Sequence, residues 1–277
     1  MNVRDLLAMA SQRLGGGDAR LEAELLLAHA LGTTRARLYA WPEHEPEAHQ
    51  RAVFERLVDA RVRGEPIAYL TGRREFWSLD LAVTPDVLIP RHETELLVEL
   101  ALERIPRDRT SHVADLGTGS GAIALAIARE RPLAHVTATD ASTGALDVAR
   151  GNATRLGLSN VAFAAGDWLA AVGDARFDVI VSNPPYIAAD DAHLAQGDLR
   201  FEPASALASG ADGLDAIRRI VADASSHLAD GGALLLEHGF DQSARVRALL
   251  EAAGFGNVAS DRDTGGHERV TRGTKRG

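Results

Sequence analysis

From His112 to Glu237 short β-rich runs alternate with helical ones: His112–Leu116, His135–Thr139, Val161–Ala164, Phe177–Ser182 and Ala233–Glu237 are each separated by residues at helical spacing. Such a chain is confined to an α/β architecture, a doubly wound, mostly parallel sheet with helices on both faces, because parallel neighbours need crossovers that return over the sheet. Two more runs, near Asn257–Asp261 and Glu268–Thr271, follow closely enough to pair antiparallel. A helix near Glu93–Arg104 leads into the first strand.

The first seventy or so residues read differently. Val3, Leu7, Ala10 and Leu14 share one helical face, which Gly15-Gly16-Gly17 ends. Asp18 is positioned to cap a second helix with Leu21, Leu25 and Ala28 inward, and Thr33 or Thr34 a short third. A fourth runs from about Pro46 to Arg63 with Val53, Leu57 and Ala60 at helical period, which makes a small four-helix bundle. From Phe76 the period becomes two: Trp77, Leu79, Leu81 and Val83 alternate with smaller or polar residues. Thr84-Pro85-Asp86 turns the chain, and Val87-Leu88-Ile89 is the expected partner strand, so this ribbon is a candidate connector. Arg61, Arg63, Arg73 and Arg74 beside it read as a solvated face rather than a binding patch.

Of 277 residues 45% are hydrophobic and 25% charged, enough for a sizeable core. Thirty basic against 39 acidic residues leave a net −9, which repels a polyphosphate at long range and argues against stable nucleic-acid binding. The absence of cysteine excludes disulfides, thiolate metal sites and cysteine nucleophiles. No run approaches the roughly 18 to 20 apolar residues of a membrane span, and Met1–Asp5 carries an acid where a signal peptide would be basic. We therefore expect a cytoplasmic protein with no membrane partner. His92-Glu93 opens like a zinc-protease helix, but Leu96 stands where the second histidine is required, so no metal is expected.

Val113-Ala114-Asp115-Leu116 runs into Gly117-Thr118-Gly119-Ser120-Gly121 and then Ala122–Ala128, the strand, glycine loop and helix order of a nucleotide-binding turn. Glycines let the backbone approach a ligand, and the helix start offers unpaired N–H groups. Asp140 ends the second run roughly 20 residues on, where a carboxylate can accept from ribose hydroxyls. S-adenosylmethionine and NAD both carry that ribose, so these residues alone leave the ligand open.

Asn183-Pro184-Pro185-Tyr186 decides between them. It follows the fourth strand, and strand carboxyl ends face the ligand crevice in an open α/β sheet. The two prolines remove two donors and leave carbonyl oxygens. A planar NH₂ group is a poor nucleophile that needs orientation more than deprotonation. The Asn183 side-chain oxygen and the Pro184 carbonyl can accept its two N–H bonds and aim its lone pair, while Tyr186 stacks on the flat group. A sulfonium methyl held by the glycine loop would then be attacked in line, with the proton leaving afterwards to solvent. A dehydrogenase has no use for this acceptor pair. Gly166-Asp167-Trp168, after the third strand, can serve an adenine: Asp167 accepts from its amine and Trp168 offers an aromatic face or a backbone N–H.

Together these segments resemble the protein-(glutamine-N5) methyltransferases that modify peptide-chain release factors. The likeness covers most of the chain and rests on Tyr69–Gly72, Arg74–Trp77, Ile89–Arg91, Asp115–Gly121, Asn183–Tyr186, Arg200–Pro203 and Leu236–Gly239. It implies a helical substrate-binding domain at 1–73, a β-hairpin linker at 74–90 and a class I, Rossmann-like methyltransferase domain with a seven-stranded mixed sheet at 91–277. It further implies that Gly117, Thr118, Gly119, Ser120, Gly121, Asp140, Trp168 and Asn183 contact S-adenosylmethionine, whose product is S-adenosylhomocysteine. Asn183, Pro184, Pro185 and Tyr186 would contact the glutamine of the Gly-Gly-Gln loop of class 1 release factors, in support of translation termination by a monomeric enzyme. His92 departs from the proline usual in the family. The rival readings are an adenine-N6 methyltransferase, which would need a basic groove, and a non-catalytic dinucleotide sensor, which would leave Asn183–Tyr186 idle. Glu237 and His238, at a strand end near the site, read as structural.

Overall fold

The computed structural model describes residues 1–276 and divides into two units, Met1–Arg73 and the chain from Arg74 onward. Gly277, the end of the expected third segment, lies outside the described residues.

In the first unit local chemistry sets the helix limits. α1 (Val3–Leu14) starts where the Asn2 side chain accepts from the Asp5 N–H, and it stops at Gly15, whose φ of 64° favours glycine. α2 (Ala19–Ala30) follows Asp18, but the Asp18 side chain caps nothing, and the inward face is Ala23, Leu26 and Leu27. Leu21 is exposed. Of the expected face Ala28 is buried while Leu21 and Leu25 are not, because a leucine-rich helix offers several apolar stripes and packing selects one. Glu24 is buried on α2, where Arg20, Arg35 and the Tyr39 hydroxyl donate to it and hold its carboxyl below the usual range against the cost of burial.

Thr34 caps α3 (Arg35–Ala40). In α4 (Ala48–Val62) the buried residues are Phe54, Val58 and Ala60 rather than Val53 and Leu57. A fifth helix, α5 (Ile67–Thr71), ends at Gly72 with φ 69°; five residues are too few to show a period, so four helices were expected where five form. Arg61 is not on a solvated face: it forms a two-pronged ion pair with Glu22 at 2.7 Å and donates to the Glu65 carbonyl.

From the last residue of the first unit the chain forms a hairpin of β1 (Arg73–Phe76) and β2 (Leu79–Ala82). Trp77 and Ser78 take φ of 51° and 57°, the left-handed pair of a two-residue hairpin turn. Strand alternation had placed Trp77 in a strand and paired it with Val87–Ile89. Those residues are instead a loop after the Thr84 turn, where the Val87 N–H donates to the Thr84 carbonyl.

After a 3-10 turn at His92–Thr94 come α6 (Glu95–Arg104), β3 (Ser111–Leu116), α7 (Ala122–Glu130), β4 (Ala134–Asp140), α8 (Thr143–Leu156), β5 (Val161–Ala165), β6 (Phe177–Ser182), α9 (Asp215–His227), β7 (Leu228–Glu237), α10 (Ser243–Ala252), β8 (Gly256–Arg262) and β9 (Glu268–Thr274). The seven strands from β3 to β9 form one mixed sheet in the order β5-β4-β3-β6-β7-β9-β8, with β9 antiparallel to β7 and β8.

Side-chain alternation divides the core in two. Val113, Val179, Val181 and Leu235 face α6 and α7, whereas Ala114, Ile180, Leu234 and Leu236 face α9 and α10. The strand order reverses between β3 and β6, and there the Ser182 hydroxyl donates to the Leu116 carbonyl at 2.7 Å. Both loops leaving this switch point therefore open on one crevice. No described helix is long and apolar enough to cross a membrane.

Candidate active site

The crevice beyond the carboxyl ends of β3, β4 and β6 holds a cavity of about 160 Å³. Gly117, Gly119, Asp140, Asp167, Trp168, Asn183 and Pro185 line it, which gathers residues from four separate loops. Thr118, Ser120 and Gly121 do not line it; they shape the turn. The Thr118 hydroxyl donates to Asp115 Oδ2 at 2.6 Å, and the Ala124 N–H donates to the same oxygen. Burial pushes the Asp115 carboxyl up to about 7 despite those two bonds. Asn152, fully buried, donates to the Ser120 and Ala82 carbonyls and accepts from the Ala82 N–H, so one amide ties the glycine loop to the hairpin.

Asp140 is held at both oxygens: Oδ2 accepts from Gly119 N–H and Oδ1 from Ser142 N–H, each at 2.9 Å. Each oxygen keeps further acceptor capacity, so the carboxylate is oriented and still able to take a diol. A Cβ on Gly117 would sit 3.0 Å from the Trp168 ring, so the glycine leaves room for that ring against the loop. Asp167 pairs with Arg219 through Oδ2. An open backbone at Gly119, an oriented carboxylate and an aromatic face fit an adenosyl group.

A second, smaller cavity of about 60 Å³ adjoins the first and is lined by Pro184, Tyr186, Arg91 and Leu199 among others. Asn183 lines both cavities. Its Nδ2 donates to Thr94 Oγ1 at 3.1 Å, which commits the nitrogen and leaves Oδ1 as the side chain's acceptor. The Pro184 carbonyl accepts no hydrogen bond from a described residue. Beneath the tetrapeptide the Tyr186 hydroxyl donates to Glu237 Oε1 at 3.4 Å, and burial together with Glu237 raises its pKa. Glu237 is itself buried; desolvation pushes it up to about 7, opposed by the Thr94 hydroxyl, Arg269 and the Tyr186 hydroxyl.

Residues 93–210 match the family model of the Methyltransferase small domain, and residues 5–72 that of the PrmC N-terminal domain. The chain is 55% identical to the release factor glutamine methyltransferase of Xylella fastidiosa (strain Temecula1), over 97% of its own length and 96% of the relative's. It is 54% identical to the enzyme of that description from Pseudomonas aeruginosa, with 95% of each chain covered. The chain belongs to the release factor glutamine methyltransferase family. In fold it also resembles a methyltransferase from Pyrococcus furiosus, with a TM-score of 0.56 at 20% identity, covering 79% of this chain and 97% of that one.

Two segments that carried the family resemblance meet beside the smaller cavity. Arg91 donates to Glu202 at 2.6 Å, and this ion pair clips the loop after the hairpin to the loop after β6. The Glu202 side chain is fully buried, and its carboxyl is raised by desolvation although Arg91 opposes the shift. Sequence reasoning missed four residues here. Gln242 donates to the Tyr186 carbonyl at 2.9 Å and accepts from the Gly239 N–H, Gly213 packs on that same carbonyl, Thr94 holds Asn183, and Leu88 lines both cavities. Only Gly213 left a local signal, a glycine in the segment before α9; the others act through contacts remote in sequence.

Proposed function

We propose that this protein transfers the methyl group of S-adenosylmethionine to the side-chain amide nitrogen of the glutamine in the Gly-Gly-Gln loop of class 1 peptide-chain release factors. The observation that carries the reading is Asn183, one residue that lines both the cavity beside the glycine loop and a small cavity walled by Pro184 and Tyr186. When bound, S-adenosylmethionine supplies an electrophilic methyl on a sulfonium and leaves as S-adenosylhomocysteine.

The chain's own work is orientation. Asn183 Oδ1 and the Pro184 carbonyl accept the two N–H bonds of the substrate carboxamide, which fixes the amide plane and aims the nitrogen lone pair, perpendicular to it, toward the electrophile. Tyr186 stacks on the flat amide. No base is needed, because the nitrogen becomes acidic as it is alkylated and its proton passes to solvent. Asp140 holds the ribose, Trp168 and Asp167 the adenine, and the backbone at Gly117 and Gly119 closes on the ligand.

Residues 91–277 would carry the chemistry, residues 74–90 link the domains, and the helical residues 1–73 help hold the release factor. The exposed Tyr39 and Trp41, the latter covered by Arg37 at 4.0 Å, support a protein-binding role for those helices. Release factors act at the ribosome, which would place the enzyme in the cytoplasm.

Two measurements test the reading. Asp140→Ala is expected to weaken S-adenosylmethionine binding by roughly 1 to 3 kcal/mol in calorimetry, as for a lost hydrogen bond to a charged group; unchanged affinity would remove Asp140 from the ribose site. A release factor whose loop glutamine is replaced by alanine is expected to take up no label from labelled S-adenosylmethionine. Undiminished labelling would direct the search to another acceptor.

A further inference from the structure

We propose that Thr94 is a positioning residue that fixes which end of the Asn183 carboxamide faces the substrate. The inference rests on the glutamine-methylation reading and adds a residue to it. Thr94 ends the 3-10 turn that runs into α6, with helical dihedrals, and its hydroxyl makes no capping bond to the helix. Its hydroxyl accepts instead from Asn183, 89 residues away in sequence, and the residue is only 4% exposed.

The two ends of a carboxamide are nearly the same size and opposite in function. With Oδ1 outward, Asn183 accepts from a substrate NH₂; turned by half a rotation, it presents donors to donors. Packing alone discriminates poorly between these states, so the choice falls to the hydrogen-bond partner. A hydroxyl can serve either end, which moves the decision to wherever its own proton is committed. Glu237, 1% exposed at the end of β7, accepts from Tyr186 and has the Thr94 hydroxyl beside it holding its carboxyl down against burial, and in its ionised form, which prevails above about pH 7, it has no proton to offer. With Glu237 ionised, the Thr94 proton is drawn toward it and the hydroxyl accepts from Asn183 Nδ2, as the 3.1 Å contact shows. Reversing the amide would take the Thr94 proton from a buried acceptor and leave that acceptor short of a donor.

The test uses the full chain in two readouts, one of which needs no substrate. In the ¹⁵N-labelled protein, Thr94→Val is expected to shift the Asn183 side-chain NH₂ resonances and speed their hydrogen exchange, and Thr94→Ser to restore both. On a release factor, Thr94→Val is expected to lower kcat by roughly 10- to 100-fold with a much smaller change in KM and in S-adenosylmethionine affinity, and Thr94→Ser to stay within about threefold of the parent. Unchanged Asn183 signals in Thr94→Val, or altered signals with kcat retained, would overturn the proposal. So would a serine variant as impaired as the valine one, since a packing role would be lost with the methyl group. A parent protein that leaves release factors unmethylated while Thr94→Val still alters the Asn183 signals would overturn the functional reading and uphold the positioning.

Discussion

Asn183→Ala is expected to lower turnover on a release factor by at least ~100-fold, while S-adenosylmethionine affinity changes far less. The asymmetry follows from how the two ligands are held. The larger cavity, where we place the adenosyl group, is lined by Asp140, Trp168 and the glycine loop as well as Asn183, so losing one wall removes a small share of its contacts. In the smaller cavity the proposed acceptors of the two N–H bonds are the Asn183 oxygen and the Pro184 carbonyl. With one acceptor gone the substrate NH₂ can rotate, and its lone pair spends most of its time conjugated or misdirected. A hundredfold loss is about 2.7 kcal/mol of barrier, well within the range for lost orientation. Steady-state kinetics with parallel calorimetry reads both quantities, and near-parental turnover would defeat the role assigned to Asn183.

Gly213→Ala should be at least as damaging, through a route visible only in three dimensions. The φ of Gly213 is +76°, and an added Cβ would lie 2.2 Å from the Tyr186 carbonyl oxygen and 2.8 Å from Gln242 Nε2. The first of these is backbone and cannot swing aside. Left-handed strain on a non-glycine residue costs roughly 1 to 2 kcal/mol, and a core clash adds roughly 1 to 3 more. Relief requires Tyr186 to move, and displacement of a reacting geometry by about 1 Å can cost ~100-fold in rate. Gly254→Ala is the control: its φ is +85°, but nothing lies within 4 Å of the added Cβ. It should lose about 1 kcal/mol in denaturant unfolding and keep its turnover. Equal losses in the two variants would mean that backbone strain alone, and not the tetrapeptide contact, accounts for the effect.

What could be read from the sequence follows from the range of the interactions involved. The strands, the glycine loop and the position of Asn183–Tyr186 at a strand's carboxyl end were legible because period and turn chemistry are local. Their convergence followed from one topological rule, the opening of α/β crevices at strand carboxyl ends. The hairpin was misread because Trp77 continues an apolar alternation, and nothing in the sequence marks Trp77 and Ser78 as adopting left-handed φ. Val87–Ile89 is apolar for a different reason than strand formation: Val87 and Leu88 line the site, and Val87 and Ile89 are buried without a ladder. The inward faces of α2 and α4 depended on neighbours that no single helix specifies. Glu237 was legible as a residue near the site but not by its partner Tyr186, and Thr94 and Gln242 were illegible as site residues because each acts across tens of residues of chain.

The central claim is that a proline-braced pair of acceptors selects a neutral carboxamide as the methyl acceptor. Its most direct test is to incubate the protein with isotopically labelled S-adenosylmethionine and a class 1 release factor, digest the product and locate the label by fragment mass. The account predicts a single added methyl on the side-chain nitrogen of the Gly-Gly-Gln glutamine. A methyl found on any other residue, or on adenine in DNA supplied in place of the release factor, would contradict it.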